Sequence, residues 1–382
     1  MRPLNPVIAA CPPSGIRRFF DIAAEMDDVI SLGVGEPDFV TPWRIREAGI
    51  YALEHGYTTY TSNAGLPRLR ELICDDLATR YGAAYDPREE CLITTGVSEG
   101  LDLVLRVLLE PGDEVIVPEP CYVAYEPCVG FAGGTPVRVP TRWEDDFAID
   151  ADVVAAAITP RTKAILIGSP ANPTGAVQPR AALDALVRLA REHDLYLVSD
   201  EIYDRLTYDG AHTCLGTLAP ERTVLLGGFS KAHAMTGWRV GWICAPQAVA
   251  ELCVRVHQYT MLCAPHVSQL AAVEALSGPD DDVDAMVADY DRRRRVFVKG
   301  LREIGLDCPE PGGAFYAFPS IRSSGLDSET FAERLLHAES VAVVPGNVFG
   351  PSGEGHIRCS YATALPQLEE ALVRIARFLN TG

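Results

Sequence analysis

The chain has 382 residues, with 33 basic against 52 acidic side chains and a formal charge of −19, which excludes nucleic acid and anionic membrane as partners. Hydrophobic residues make up 48% and charged residues 22%, the balance of a globular protein long enough for a large core and two domains. No apolar run reaches the length of a membrane span, and Met1 to Pro13 lacks a basic-then-apolar signal pattern, so the expected location is the cytoplasm.

Residues 1–30 read as an arm and a first helix, with Ser14-Gly15-Ile16-Arg17-Arg18 their most distinctive part. Ser31 to Phe39 is a short strand ending in a loop with Gly33 and Gly35, where a backbone can approach a ligand closely. Thr41-Pro42 caps a helix running to about His55, with proline at its first position. From residue 65 helices alternate with short apolar strands. Helix 65–81 leads to strand 91–94, helix 98–109, strand 115–117 and helix 121–132. Strand 135–139, helix 150–157, strand 164–168, helix 179–193 and strand 195–198 follow. This alternation predicts an α/β fold with a mainly parallel sheet between helices. Thr223-Val224-Leu225-Leu226 is another buried strand, and Gly227 to Trp242 is too rich in small residues to extend it. One long helical stretch spans 246–275, and acidic residues 280–282 open another helix. Helices and short strands after about 284 read as a small α+β unit. The expected division is 1–30, an arm and helix joined to the small domain; 31–280, the large domain; and 281–382, the small domain. Eleven cysteines without a CxxC pair or His/Cys spacing read as reduced, mostly buried thiols, with no metal site.

Polar motifs follow the strands, where open α/β sheets bind ligands. Thr95-Gly96-Val97-Ser98 enters a helix whose first N–H groups can face a phosphate. Asn172, in Ser169-Pro170-Ala171-Asn172-Pro173-Thr174-Gly175, is either a turn former or a group aimed at the strand end. Asp200, in Ser199-Asp200-Glu201-Ile202-Tyr203-Asp204, can cap the next segment or face a ligand. Arg358 lies in an alternating stretch, where structural pairing would also explain it. The chain has three lysines, Lys163, Lys231 and Lys299. Lys231 alone lies in a ligand-like setting, after Ser230 and eight residues before Arg239. A lysine amine forms a Schiff base with a carbonyl, and a hydroxyl with a guanidinium holds a phosphate. The aldehyde and phosphate that these residues suit belong to pyridoxal 5'-phosphate. In such a site Asp200 can pair with the pyridine nitrogen and make the ring an electron sink. Asn172 and Tyr203 can bond the ring hydroxyl, and Tyr122 can stack on the ring. Ser230, Arg239 and the N–H groups of Val97 and Ser98 can hold the phosphate, and Arg358 can grip an α-carboxylate bidentately.

Across essentially its whole length the chain resembles the class I/II aminotransferases of pyridoxal-phosphate fold type I, the aspartate/aromatic aminotransferase-like group. The motifs that carry the resemblance are SLGVGEPDF at 31–39, YTSNAG at 60–65, SPANPTG at 169–175 and SDEIYD at 199–204. GGFSKAHAMTGWRVGW at 227–242, PGGAFYAFP at 311–319 and IRCSYAT at 357–363 complete the set. The resemblance implies a large domain with a mainly parallel seven-stranded sheet and a small α+β domain. It implies Lys231 as Schiff-base lysine and general acid/base, Asp200 at the pyridine nitrogen, Asn172 and Tyr203 at the ring oxygen and Tyr122 against the ring. Gly96, Val97, Ser98, Ser230 and Arg239 would hold the phosphate. Tyr60 would reach the phosphate of a neighbouring subunit, which implies a homodimer with shared sites. Gly35, Asn172 and Arg358 would bind the substrate carboxylate. The implied reaction is a ping-pong exchange of an amino group between an L-amino acid and a 2-oxo acid, with glutamate/2-oxoglutarate as one pair. One branch of aspartate aminotransferases has a lysine where this chain has Ser98, so the second pair leans to aromatic or broad substrates. A carbon–sulfur β-lyase is the alternative on the same fold. A ligand sensor with a DNA-binding domain has no room before Ser31.

Overall fold

The computed structural model describes residues 2–13, 15, 26 and 28–381. Most of the Ser14 to Arg18 motif and of the expected first helix lies outside the described residues. The arm contributes one short helix, Pro6–Ala10, capped by the Asn5 side chain.

Seven strands form the central sheet: β2 (Cys91–Thr94), β3 (Glu114–Glu119), β4 (Thr135–Pro140), β5 (Thr162–Gly168), β6 (Tyr196–Asp200), β7 (Thr223–Gly228) and β8 (Gly241–Cys244). Their order is β2-β8-β7-β6-β5-β3-β4. All run in one direction except β8, which pairs antiparallel with both neighbours. The strands are short apolar runs because helices cover both faces. Period-two alternation divides each run between two cores. Ile165 and Ile167 join the core under helices 67–81, 180–192 and 266–277. Ala164 and Leu166 join the one under helices 97–108 and 247–260.

A third core gathers helices 281–303, 328–339 and 365–381. Around it lie the parallel pair β1 (Ile30–Ser31) with β10 (Val341–Ala342), and the antiparallel sheet β11-β12-β9. Those last strands are β9 (Tyr316–Ala317), β11 (Val344–Pro345) and β12 (Ile357–Ser360). Ile202, Tyr203, Ala232 and Ala234 reach into this third core from segments that follow β6 and β7. The end of the large sheet and the small sheet are thereby packed together. Half of the Arg292 to Arg295 run is structural: Arg293 and Arg294 are buried and pair with Asp38 and Asp209.

Four local expectations differ from what is observed. β7 continues through Gly227 and Gly228, because Trp242 opposite would meet a Cβ at Gly227 at 2.1 Å and glycine alone leaves it room. The stretch 246–275 splits into Gln247–Thr260 and His266–Ser277 around Pro265. The expected helix 121–132 starts only at Tyr125, since Cys121 N–H is bonded to Phe349 C=O (3.0 Å) and 121–124 form a turn. Pro42 is the N-cap residue of Trp43–Glu54 and not its first helical residue. The Thr41 hydroxyl donates instead to Ala234 C=O (2.5 Å) and accepts from Trp238 Nε1 (3.1 Å).

At the start of β8, a Cβ on Gly241 would lie 2.8 Å from both Gly96 C and Val97 N, backbone atoms that cannot swing aside. Gly241→Ala should therefore lower stability by about 1–3 kcal/mol, the usual cost of overpacking. A drop in Tm measures it, and an unchanged Tm would show that the strand and helix are not in close contact.

Candidate active site

A cavity of about 390 Å³ opens where β2, β5, β6 and β7 end. Asp200 is the last residue of β6 and is 7% exposed. Its Oδ2 accepts from Tyr125 Oη–H (2.9 Å), and its Oδ1 from Ile202 N–H (3.2 Å). Burial pushes its carboxyl up to about 6, against the pull of those two donors and of Lys231. Lys231 follows β7, and its Nζ donates to Gly35 C=O (2.7 Å). Burial draws the amine down to about 8; Glu36 opposes the shift, and Arg358 adds to it. An amine whose pKa is brought close to physiological pH can give up its proton there, which nucleophilic and acid–base work requires.

Arg358 enters from β12, 2% exposed. Nη1 donates to Asn172 Oδ1 (3.0 Å) and Nη2 to Gly33 C=O (2.5 Å), while the guanidinium lies 4.5 Å from the Tyr316 ring centre. Its Nε has no partner among the described residues. Three fixed sides thus aim a buried cation into the cavity, the arrangement that suits a carboxylate.

At the opposite corner Gly96 begins the helix Val97–Leu108 with φ +79°, and the first N–H groups of that helix have no partner within it. Arg239 holds a left-handed φ of +53° and anchors Nη1 on Thr236 C=O (2.9 Å). A Cβ on Gly96 would stand 2.7 Å from Arg239 Nη2. Glycine therefore lets a helix N-terminus, a guanidinium and the Ser230 hydroxyl converge, which is a phosphate cradle.

Eleven of the thirteen residues singled out in the sequence line this one cavity: Gly35, Val97, Ser98, Tyr122, Asn172, Asp200, Tyr203, Ser230, Lys231, Arg239 and Arg358. Gly96 lies behind Arg239. Tyr60 stands outside, 79% exposed. Two residues escaped the sequence reading. Tyr125 holds Asp200, and Tyr316 bonds Tyr203 hydroxyl to hydroxyl (2.8 Å) and faces Arg358. Tyr125 lies three residues after Tyr122, and Tyr316 beside Phe315 in the stretch 311–319. Nothing local to the sequence says which aromatic of each group faces the cavity.

A helix N-terminus beside a guanidinium and a hydroxyl, a buried carboxylate, a lysine with a lowered pKa and a buried arginine in one cavity fit pyridoxal phosphate with an amino acid. Residues 27–375 match the family model "Aminotransferase class I and II". The chain belongs to that family. Among curated relatives, the putative aminotransferase YugH of Bacillus subtilis is 54% identical over 99% of this chain and 98% of its own. The aspartate aminotransferase of Pyrococcus abyssi is 44% identical over 96% of each. Among solved structures, the Thermus thermophilus aspartate aminotransferase with maleate matches at TM-score 0.95 and 42% identity, covering 99% of this chain and all of that one. The protein is thus a pyridoxal-phosphate-dependent aminotransferase of fold type I, acting on amino acids and 2-oxo acids. Among the described residues no helix is long and apolar enough to cross a membrane.

Tyr125 donates to the charged form of Asp200, so its loss should raise the Asp200 pKa further. Tyr125→Phe in this aminotransferase should weaken cofactor affinity about tenfold at pH about 6.5 and less at about 8.5. Equal affinity to wild type at the lower pH, read by absorbance titration of the apoenzyme, would show that Tyr125 does not tune Asp200.

Proposed function

We propose that this aminotransferase exchanges glutamate/2-oxoglutarate with a second, aromatic or broad amino acid/2-oxo acid pair, in two half-reactions at one site. The observation that carries this reading is Arg358, buried, braced by Asn172 and Gly33, and in the same cavity as a lysine drawn down to about 8. Ser98 offers no cation for a distal carboxylate, and Lys231, Arg239 and Arg358 are the only Lys or Arg side chains among the described cavity residues. All three have other work in this reading, Lys231 at the reacting carbon, Arg239 at the phosphate and Arg358 at the α-carboxylate, which favours a second substrate without a distal acid.

Pyridoxal phosphate supplies an aldehyde for the amino group and a ring that accepts the electrons of the Cα–H bond. Gly96, Val97, Ser98, Ser230 and Arg239 hold its phosphate in this reading, and Asp200 its ring nitrogen. Asn172 and Tyr203 face its ring oxygen, with Tyr122 against the ring. Arg358 and Asn172, with the backbone of Gly35, orient the substrate carboxylate. Lys231 Nζ would take the proton from the Cα of the amino donor in one half-reaction and give a proton to the Cα of the 2-oxo acid in the other.

The working unit in this proposal is a homodimer with shared sites. Trp43, Leu53, Tyr57, Tyr259 and Met261 are exposed along with Tyr60. Asn63 bonds Leu262 C=O (2.7 Å) and Tyr57 packs on His266, so these segments form one apolar face. A second copy would cover that face and receive Tyr60 at its phosphate cradle. Residues 31–280 would form the large domain and 281–382 with the N-terminal arm the small one. Eleven cysteines, none in a disulfide, suit a reducing cytoplasm.

L-Glutamate added to the holoenzyme should convert its visible absorption band to that of the aminated cofactor, and a 2-oxo acid should restore it. Release of pyruvate and ammonia from a cysteine conjugate, with no response to glutamate, would overturn the proposal in favour of a β-lyase. Arg358→Ala should raise KM for every amino donor about ten- to a hundredfold, the worth of a charged hydrogen-bonded pair; an unchanged KM would remove Arg358 from the carboxylate site. Lys231→Ala should keep the fold and lower kcat by at least about 10²–10⁴-fold. Near-normal turnover would refute its role.

A further inference from the structure

Away from the cavity, three cysteines that are distant in sequence come together. Cys74 lies on helix Pro67–Tyr81, Cys91 opens β2, and Cys244 closes β8 directly across the antiparallel pair from Cys91. Their Sγ atoms all lie within 4.8 Å of one another, and all three residues are buried. Cysteines packed merely as small apolar residues need no such convergence. We infer that Cys74, Cys91 and Cys244 form a binding site for one soft closed-shell cation, held by three thiolates.

The geometry suits that ligand class. Three sulfurs about 2.3 Å from a central ion stand about 4 Å apart when trigonal, and the three observed sulfurs lie within 4.8 Å of one another. Thiolate donors select Cu(I), Zn(II) and their heavier congeners over hard cations. Arg70, one turn before Cys74 and 8% exposed, supplies the counter-charge. It acts on Cys91, and its Nε has no partner among the described residues. Three thiolates and a divalent ion carry one negative charge, which Arg70 offsets. Ligand thiols lose their protons to solvent as the ion binds. The ion would tie helix 67–81 to β2 and β8 at the ends of these strands opposite Gly96 and Gly241. Its role is therefore to brace the edge of the sheet, apart from the chemistry.

The test is titration of the reduced holoenzyme with Cd²⁺ alone. One ion per chain should bind, with a sulfur-to-cadmium charge-transfer band, proton release and a Tm that rises with Cd²⁺. Cys74→Ala and Cys244→Ala should each abolish the stoichiometric band, while Cys263→Ala, at a half-buried cysteine outside the cluster, should keep it. A band that survives Cys74→Ala, or one lost in Cys263→Ala, would overturn the site. X-ray absorption at the cadmium edge of the wild type decides independently of how the variants fold. A shell of three sulfurs supports the site; one of oxygen and nitrogen, or no bound ion, refutes it.

Discussion

Two opposite charges taken out of water at the ends of adjacent strands, Asp200 closing one and Lys231 three residues past the other, are the constraint around which this protein is built. Asp200 folds with its carboxyl near 6 in place of 3.8, and Lys231 with its amine near 8 in place of 10.5. A carboxyl raised by folding costs stability once pH exceeds its unfolded value, and the full cost is present above about 6. An amine lowered by folding costs stability as pH falls below its unfolded value, and the full cost is present below about 8. Between these limits each group opposes folding by about 3 kcal/mol. Few single groups cost a fold so much. The two cores on either face of the sheet make the strand ends too rigid to relax it. In the proposed site a protonated pyridine beside Asp200 and a carbonyl at Lys231 would relieve both costs. Cofactor binding would then be coupled to stability through the same two groups.

Most of the architecture was legible in the sequence because both signals it rests on are local. Runs such as Ala164 to Ile167 mark strands by composition, and turn residues such as Pro170, Pro173 and Gly175 mark where they stop. The motifs at the strand ends then fell into one cavity because a parallel sheet places all its carboxyl ends on one side. What was not legible depends on which way a side chain points across elements. Gly227 breaks strand propensity, yet the strand passes through it, since Trp242 needs the space. Tyr125 and Tyr316 are indistinguishable in sequence from their aromatic neighbours. The cysteine cluster joins residues 74, 91 and 244 at spacings that no linear motif encodes.

The site also joins two bodies of packing. Arg358 and Tyr316 belong to strands of the small sheet; Asn172 and Tyr203 belong to loops that follow the large one. Two polar contacts between them, Arg358 to Asn172 and Tyr203 to Tyr316, lie at the cavity wall. Each partner in these contacts is buried or half-buried, so an unmet group there would carry a full desolvation penalty. A carboxylate entering between Arg358 and Asn172 can take over donors that the protein otherwise satisfies internally. Its binding is then an exchange of hydrogen bonds within a fixed frame.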